Sequence, residues 1–184
     1  NESPLGAVTP TLLITAVGII SDIRKTVSVD LKTPGNILYL IGETYPELGG
    51  SEYYKLHGYL GNSVPKVHAA KARKIYYSLL LAIGKGLIQS CHDLSEGGLG
   101  IAASEMSMAG GCGIELNLKK LQSKILKRDD VALFSESNSR FLVEVAGKDR
   151  QAFETSMNWK DYVAVGRVNR NQKLVINGMC GSVI

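Results

Sequence analysis

Five consecutive apolar residues, Ile37–Ile41 with the sequence ILYLI, follow the stretch Thr33–Asn36, whose sequence is TPGN. The proline and glycine of TPGN are typical of a turn, so a new element begins after it. A short, continuous apolar run bounded by a turn is typical of a fully buried strand. We therefore predict that Ile37–Ile41 is a central strand of a sheet.

Other elements are predicted on both sides of this strand. Residues 1–10, with two prolines and a glycine, are expected to form an extended loop. Apolar residues at helical spacing predict helices, and Ser51 is expected to cap a short one. The predicted helices cover residues 51–57, 69–87, 99–109 and 149–157. Apolar runs or alternation predict strands at 11–20, 27–31, 114–118, 141–145, 162–168 and 173–176.

This mixed order of strands and helices predicts an α+β fold. We expect a layered α/β domain, with helices packed on a mixed, mostly antiparallel sheet. The chain has 184 residues, 45% of them hydrophobic, which is enough to build one core. No run reaches the roughly 20 apolar residues that a membrane span requires, so no membrane association is expected.

The charge and the cysteines narrow the class of function. The net charge is only +4, and basic residues alternate with acidic ones along most of the chain, so no nucleic-acid partner is expected. The three cysteines, Cys91, Cys112 and Cys180, contain no Cys-x-x-Cys pair. We therefore expect reduced thiols in a cytoplasmic protein, without a disulfide framework or a structural zinc site.

The first polar stretch is residues 91–99, with the sequence CHDLSEGGL. Two glycines before a helix let a ligand approach the backbone, and the free N–H groups there favour an anion. Asp93 and Glu96 offer the oxygen ligands that Mg²⁺ prefers. Alternatively, Asp93 or Ser95 only caps the helix, and the glycines only allow close packing.

The second polar stretch is Ser135–Arg140, with the sequence SESNSR, directly before the predicted strand at 141–145. Its hydroxyl, amide, carboxylate and guanidinium groups suit a sugar or a phosphate, with Arg140 as a bidentate donor. A self-contained Ser/Asn turn is the alternative. We expect both polar stretches to meet on one side of the sheet and to face outward. Catalysis by Cys91 and His92 is not expected, because adjacent strand residues point to opposite faces.

Together these stretches resemble one family. The sequence is similar to the C-terminal part of the large, synthetase subunit of phosphoribosylformylglycinamidine synthase, within the aminoimidazole ribonucleotide synthetase superfamily. The similarity extends from Asn1 to about Val168. The motifs that carry it, in the same order as in the family, are Thr9–Ile14, Gly35–Gly42, Leu48–Tyr53, His92–Leu99 and Phe134–Phe141.

The resemblance implies a domain division and a reaction. Residues 1–33 would be the end strand and strap of a preceding N-terminal-type domain, and residues 34–184 a C-terminal synthetase-type domain. The family is an ATP-dependent carbon–nitrogen ligase of purine biosynthesis. It converts formylglycinamide ribonucleotide, with ammonia derived from glutamine, to the amidine. Phosphorylation of the amide oxygen makes that carbon reactive towards ammonia. Isolated residues 1–184 are expected to be inactive, because a substrate-contacting family motif lies before Asn1.

The resemblance also implies ligands and partners. Through the internal duplication of the family, Asp93 corresponds to a Mg²⁺ ligand, and a nucleotide, ATP or ADP, is the expected cofactor. No catalytic residue is expected in this half. The expected partners are the remaining domains of the subunit, a glutaminase subunit or domain and a small accessory subunit. The residues expected to bind nucleotide or phosphate are His92, Ser95, Gly97, Gly98, Glu136, Ser137 and Arg140.

Two alternatives remain open. The chain could be a non-catalytic, auxiliary nucleotide-binding and assembly module of the same enzyme. It could also belong to a related ATP-dependent synthetase of the superfamily.

Overall fold

The structure is a computed structural model that describes residues 2–3, 6–7, 12–157, 162–181 and 183. The helices are α1 (Glu52–Leu56), α2 (Ala69–Gly84), α3 (Gly98–Gly110), α4 (Asp129–Phe134) and α5 (Arg150–Ser156). The strands are β1 (Glu2–Ser3), β2 (Gly6–Ala7), β3 (Ile37–Ile41), β4 (Ser90–Asp93), β5 (Gly113–Asn117), β6 (Phe141–Val145), β7 (Tyr162–Asn169) and β8 (Leu174–Asn177). None of the helices in these ranges is long and apolar enough to cross a membrane.

Six of the strands form one sheet in the order β4-β6-β3-β7-β5-β8. Neighbouring strands run antiparallel, except that β5 and β8 are parallel. The short strands β1 and β2 pair with each other apart from this sheet. The predicted α+β fold, with a mixed and mostly antiparallel sheet, is therefore confirmed.

Strand β3 lies in the interior of the sheet, as its apolar run predicts, and all five of its residues are buried. Leu38 and Leu40 point into a core shared with α3 and α4. The alternating residues Ile37, Tyr39 and Ile41 point into a second core shared with α2 and α5. Because helices cover both faces of the sheet, β3 has no polar face.

The longest helix, α2, buries one face and ends three residues before its predicted end. Its buried residues, Ala72, Ile75, Ser78, Leu79 and Ala82, follow the helical repeat. Gly84 is its last residue, and Gly86 adopts a left-handed φ of 70°. Such a conformation is favourable for glycine and stops the helix before residue 87.

A buried carboxylate joins the start of the domain to the sheet. Glu144 of β6 is 0% exposed. Its two oxygens accept hydrogen bonds from the backbone N–H groups of Lys32 and Thr33, from Asn36 Nδ2 and from Ser90 Oγ, at 2.7–3.0 Å. These four hydrogen bonds satisfy the buried charge and fix the chain at residues 32–33.

The strand predicted at residues 11–20 is wrong over the part that is described. Residues 12–20 have no regular secondary structure, and the predicted Thr11 lies outside the described residues. Their apolar side chains are exposed: Leu13 is 88% exposed, Val17 92% and Ile19 100%. A strand needs a neighbour to satisfy its backbone, and the described part of the chain supplies none here. We call residues 12–26 the arm.

The strand predicted at residues 27–31 is also wrong. This segment lies beside β4, but it is joined to it by one backbone hydrogen bond, from Cys91 N to Ser28 O at 3.1 Å. It instead packs by its side chains, with Leu31 in the α3 core and Val27 against the α2 core.

Strand β4 and helix α4 were not predicted, and the short strands β1 and β2 lie within residues 1–10, which were expected to form an extended loop. The short strand β4 overlaps the start of the polar stretch 91–99, and α4 directly precedes Ser135. Strand β4 ends in His92 and Asp93, and helix α4 begins with Asp129 and Asp130. These polar residues interrupt the apolar periodicity from which strands and helices are predicted. We call residues 27–157 and 162–179 the body.

Candidate functional site

The two polar stretches lie side by side, as expected. Strand β4 pairs with β6 so that Asp93 lies opposite Phe141. One residue further along, the N–H of Leu94 donates to the carbonyl of Arg140 at 2.9 Å. The turn that follows β4 and the turn that precedes β6 therefore meet at one end of the sheet.

The paired glycines fit tightly against the second turn. Gly97 and Gly98 both have left-handed φ angles, 76° and 60°. A Cβ on Gly98 would lie 2.3 Å from the carbonyl oxygen of Ser135 and 2.8 Å from that of Leu133. Only glycine fits this approach. The second glycine is therefore needed for packing, which was the alternative to ligand binding.

The side chain of Glu136 occupies the N-terminal end of α3. Its Oε1 accepts hydrogen bonds from the backbone N–H of Gly97 at 2.9 Å and from that of Glu52 at 3.0 Å. Free N–H groups at a helix start favour a negative charge. A carboxylate of the chain itself therefore lies where an anion was expected, and binding of an outside anion there remains a prediction. Glu136 therefore takes the place of a bound anion in this structure and does not itself contact one.

Arg140 does not face outward, which corrects its expected role as a donor to phosphate. It is 1% exposed, and Nε donates to the carbonyl of Ser137 at 2.9 Å. Nη1 donates to Thr44 Oγ1 at 3.0 Å, and Nη2 donates to the carbonyl of Ser135. Burial lowers the pKa of Arg140 to about 10, partly offset by the charges of Glu47 and Glu136.

The serines of the second turn hold a neighbouring loop. Ser135 Oγ donates to the carbonyl of Tyr45 at 2.6 Å, and Ser137 Oγ accepts from the N–H of Tyr45 at 3.1 Å. Ser137 is 1% exposed, so it cannot contact a ligand in this conformation. Its expected ligand role is not supported by its placement. The polar side chains of Arg140, Ser135 and Ser137 are therefore used within the turn and against the loop after β3.

The exposed rim of the site comes from the first turn. Ser95 is exposed, and its carbonyl accepts from the N–H of Gly98 at 3.2 Å. The side chain of Asp93 is 68% exposed, whereas that of His92 is 17% exposed. His92 Nε2 lies 2.8 Å from Glu105 Oε2 on α3, which fixes the ring. Asp93, Ser95 and Glu96 are therefore the exposed candidate residues of the first stretch that an outside ligand can reach.

The chemistry of this rim suits holding a ligand more than reacting with it. Burial raises the pKa of Cys91 to about 12, which disfavours a thiolate nucleophile. Across the described ranges, no three His, Cys, Asp or Glu side chains lie close enough to form a metal site. Asp93 fits a Mg²⁺ ion only as one ligand among others supplied from elsewhere.

The residues that sequence reasoning missed lie in the loop after β3 and at the start of α1. Thr44, Tyr45 and Glu47 hold the Ser135–Arg140 turn, and Glu52 N binds the Glu136 carboxylate. The register of the sheet explains why these residues lie at the site, because Ile41 at the end of β3 pairs with Phe141 at the start of β6. The strand pairing, which the sequence pattern does not contain, was needed to see it.

Comparison with known proteins agrees with this architecture. Residues 33–178 match the sequence model of the family described as AIR synthase related protein, C-terminal domain. The chain belongs to this family. A curated relative, phosphoribosylformylglycinamidine synthase subunit PurL of Methanothrix thermoacetophila, is 43% identical over 154 residues. This match covers 83% of the chain but 20% of the relative. The chain thus spans about a fifth of the length of this curated relative.

Solved structures of PurL from Thermotoga maritima share the fold. The structure described as complexed with FGAR superposes with a TM-score of 0.73 at 18% identity, covering 84% of this chain and 27% of that one. The structure described as complexed with ATP gives a TM-score of 0.69 at 17% identity, covering 88% and 26%. At these identities the likeness supports the fold, and the family membership of the chain agrees with it.

Proposed function

We propose that this chain is a domain of phosphoribosylformylglycinamidine synthase that holds a phosphate-bearing ligand at the Gly97 turn and does not catalyse the reaction alone. The full enzyme would be an ATP-dependent carbon–nitrogen ligase of purine biosynthesis in the cytoplasm. Its relatives carry this name, and one T. maritima PurL was solved with ATP. The observation that carries the proposal is the carboxylate of Glu136 on the N–H of Gly97, which marks an anion position.

The placement of the ligand follows from what is exposed. A nucleotide phosphate would approach the rim at Ser95 and Asp93 and would compete with Glu136 for the N–H of Gly97. Asp93 would provide one oxygen to a Mg²⁺ ion bound with the nucleotide, and the ion would offset the phosphate charge. Its remaining ligands would come from the phosphates and from a companion domain. The exposed groups of the rim, the Ser95 hydroxyl and the Asp93 carboxylate, are groups that hold a ligand, which also favours the auxiliary module as the second candidate.

Of the segment 1–33 that was expected to belong to the companion domain, we propose that residues 1–26 do so, whereas residues 27–33 pack on the body of this chain. The exposed apolar side chains of the arm suit a strand that adds to a sheet outside this chain. The other proposed partners are a glutaminase subunit or domain and a small accessory subunit.

Titration with Mg-ADP tests the binding role. We expect the isolated 184-residue chain to show little or no rise in melting temperature, because part of the site comes from the companion domain. A longer chain that includes this domain should be stabilised. Micromolar binding by the isolated chain would contradict the shared site.

Substitution of Glu136 tests the anion position directly. In the longer chain, Glu136→Ala removes the competing carboxylate and should tighten Mg-ADP binding. Unchanged or weaker binding, with a normal circular dichroism spectrum, would place the phosphates elsewhere.

Substitution of Asp93 tests the division between binding and catalysis. In the full-length enzyme, Asp93→Asn should reduce nucleotide retention or stability more than turnover, and Asp149→Asn serves as the matched control. A loss of turnover with normal nucleotide retention would instead make Asp93 catalytic.

A further inference from the structure

Helix α2 is apolar on both of its faces. Its inner face packs on the sheet through Ile75 and Leu79. Its outer face carries Tyr77 and Leu80, which are 67% and 66% exposed. Residues 75–84 include no charged side chain. Because a helix that is apolar all round is normally buried all round, the outer face of α2 is expected to have an occupant.

The exposed apolar residues of α2 form one continuous surface. Tyr76 lies one turn before Leu80, and Tyr77 lies one turn before Leu81, so all four share one side of the helix. Leu81 also lines an open groove between α2 and α5, where Ala152 of α5 extends the apolar surface. We call these four residues and the groove the outer surface. It has the shape of a helix face with a shallow channel along one side.

The residues that border the outer surface are basic. Arg73 lies one turn before Tyr77 on the same side of α2, and Lys85 and Lys148 line the groove. All three side chains are exposed. None of their charged groups has a hydrogen-bond or ion-pair partner among the residues that the structure describes. These charges are therefore not used to hold the fold together.

Acidic residues are scarce around the outer surface. Residues 53–92 contain six lysines and arginines and no aspartate or glutamate. On the α5 side, the Glu154 carboxylate accepts hydrogen bonds from Tyr39 Oη at 2.6 Å and from Arg150 Nε at 3.0 Å. The other acid there, Asp149, is outnumbered by the three exposed cations. The border of the outer surface is thus positive, and this charge is available to a partner.

The charge of the border argues against a second copy of this chain as the occupant. A symmetric pair of copies uses the same surface on both. Pairing two α2 helices would bring basic residues such as Arg73 and Lys85 of the two copies together, and like charges at an interface are unfavourable. A partner with acidic residues is complementary to the same border.

We propose that a separate protein subunit binds the outer surface through an acidic amphipathic helix. Its apolar residues, at helical spacing, would pack on Tyr77, Leu80 and Leu81, and its aspartates or glutamates would meet the basic border. The surface extends from Arg73 to Lys85, about 18 Å along the helix axis, so a helix of about three turns or more would cover it.

This surface does not depend on the nucleotide proposed at the Gly97 turn. That turn lies at the start of α3, whose side chains pack in the core on one side of the sheet. Helix α2 packs in the core on the other side. The two proposals therefore concern opposite faces of the sheet and fail separately.

A designed helical peptide is the probe for this proposal. The acidic probe is a fluorescein-labelled, helix-stabilised peptide of about four turns, with leucines along one side and glutamates beside them. In the control probe each glutamate is replaced by lysine. Binding to the full-length subunit is measured by fluorescence polarisation. We expect saturable binding of the acidic probe, about tenfold or more tighter than that of the control and weaker at high salt.

Two outcomes of this titration would overturn the proposal. Equal binding of the two probes would show that the basic border does not select the partner. No binding of the acidic probe would show that the outer surface is closed to a separate partner in the full-length subunit.

Matched variants locate the binding on the outer surface. Leu80→Ser removes an apolar contact at its centre and should weaken binding of the acidic probe about tenfold. Leu56→Ser changes a leucine of α1 that is 82% exposed and should leave the affinity unchanged. Likewise, Lys148→Glu should weaken binding, whereas Lys120→Glu, at an exposed position outside the surface, should not.

Equal affinities within either pair of variants would contradict the proposed surface. All four substitutions are at exposed positions, so we expect unchanged melting temperatures, measured for each variant. A pair in which one member fails to fold is replaced by the other pair, because the leucine and the lysine variants test the same surface independently.

Discussion

The arm and the body contain similar apolar sequences and use them in opposite ways. The run Leu12–Ile14 of the arm and the run Ile37–Ile41 of β3 would both suit a buried strand. Every residue of the β3 run is buried in the body. In the arm, by contrast, Leu12 is 84% exposed and Leu13 is 88% exposed. The difference lies in the neighbours, because β3 lies between β6 and β7 and the arm has no described strand beside it. An apolar run therefore predicts burial, but not which chain segment or domain provides it.

Truncation of one leucine in each region should give the largest difference between arm and body in the free energy of unfolding. Leu40→Ala removes a side chain that is 1% exposed and should lower the free energy of unfolding by about 2–5 kcal/mol. Leu13→Ala should change it by less than about 0.5 kcal/mol. Urea unfolding of both variants measures this. A comparable loss for Leu13→Ala would show that the arm packs on the body in solution.

An added methyl group on a glycine of each region should give the next contrast. Gly98→Ala places a Cβ against the carbonyls of residues 133 and 135 at a positive φ, and should cost about 3 kcal/mol. Gly18→Ala has no atom within 4 Å of the new Cβ. Thermal melting should detect only the first change. If Gly98→Ala melts like the unchanged chain, the two turns are not packed as described.

Removal of an arginine in each region tests the corrected role of Arg140. Arg140→Met leaves the carbonyls of Ser135 and Ser137 without their buried donor, and should cost about 2–4 kcal/mol. Arg24 of the arm is exposed and pairs with Asp22, so Arg24→Met should not change the melting temperature. A stable Arg140→Met variant would return Arg140 to the list of candidate ligand contacts.

Acid titration should give the smallest contrast. Hydrogen bonding to Arg128 lowers the pKa of Asp130 in the body, and Arg24 lowers that of Asp22 in the arm. A lowered folded-state pKa contributes stability that is fully present above the unfolded value of about 4 and is lost as the pH falls further, through the lower folded value. Because the Arg128 ion pair is partly exposed, we expect less than about 1 kcal/mol from Asp130. Asp130→Asn should slightly reduce the pH dependence of unfolding between about pH 5 and about pH 2. Asp22→Asn should not, because the exposed Asp22–Arg24 pair joins near neighbours in the arm and does not depend on the folded body.

The fold could be predicted from the sequence wherever the residue pattern and the burial agree. For β3 and α2, the local residue pattern was enough to predict the element. The paired glycines likewise marked the start of α3. The arm could not be predicted, because its burial depends on residues outside its own neighbourhood. Strand β4 could not either, because its four residues end in His92 and Asp93, which are typical of a loop.

The candidate site was predicted only in its location. Residues 91–99 and 135–140 were both identified, and the structure brings them together. The directions in which the side chains point could not be predicted from the sequence. Arg140 was expected to donate hydrogen bonds to a phosphate, but it is buried in the structure. Its role depends on Thr44 and on two carbonyls of its own turn, which only the three-dimensional pairing of β3 with β6 brings near. The ligand roles of His92, Ser95, Gly97 and Asp93 remain predictions.

The carboxylate of Glu144 anchors the chain at residues 32–33, shortly after the arm ends at residue 26. Glu144 accepts hydrogen bonds from Lys32 N and Thr33 N. A force on the arm would therefore be transmitted at residue 32 to β6, an interior strand of the sheet. A domain that captured the arm would then be tethered at a fixed point near the β4–β6 pair, with swivelling restricted to residues upstream. This single side chain would thus limit how the segment before residue 32 can move relative to the sheet.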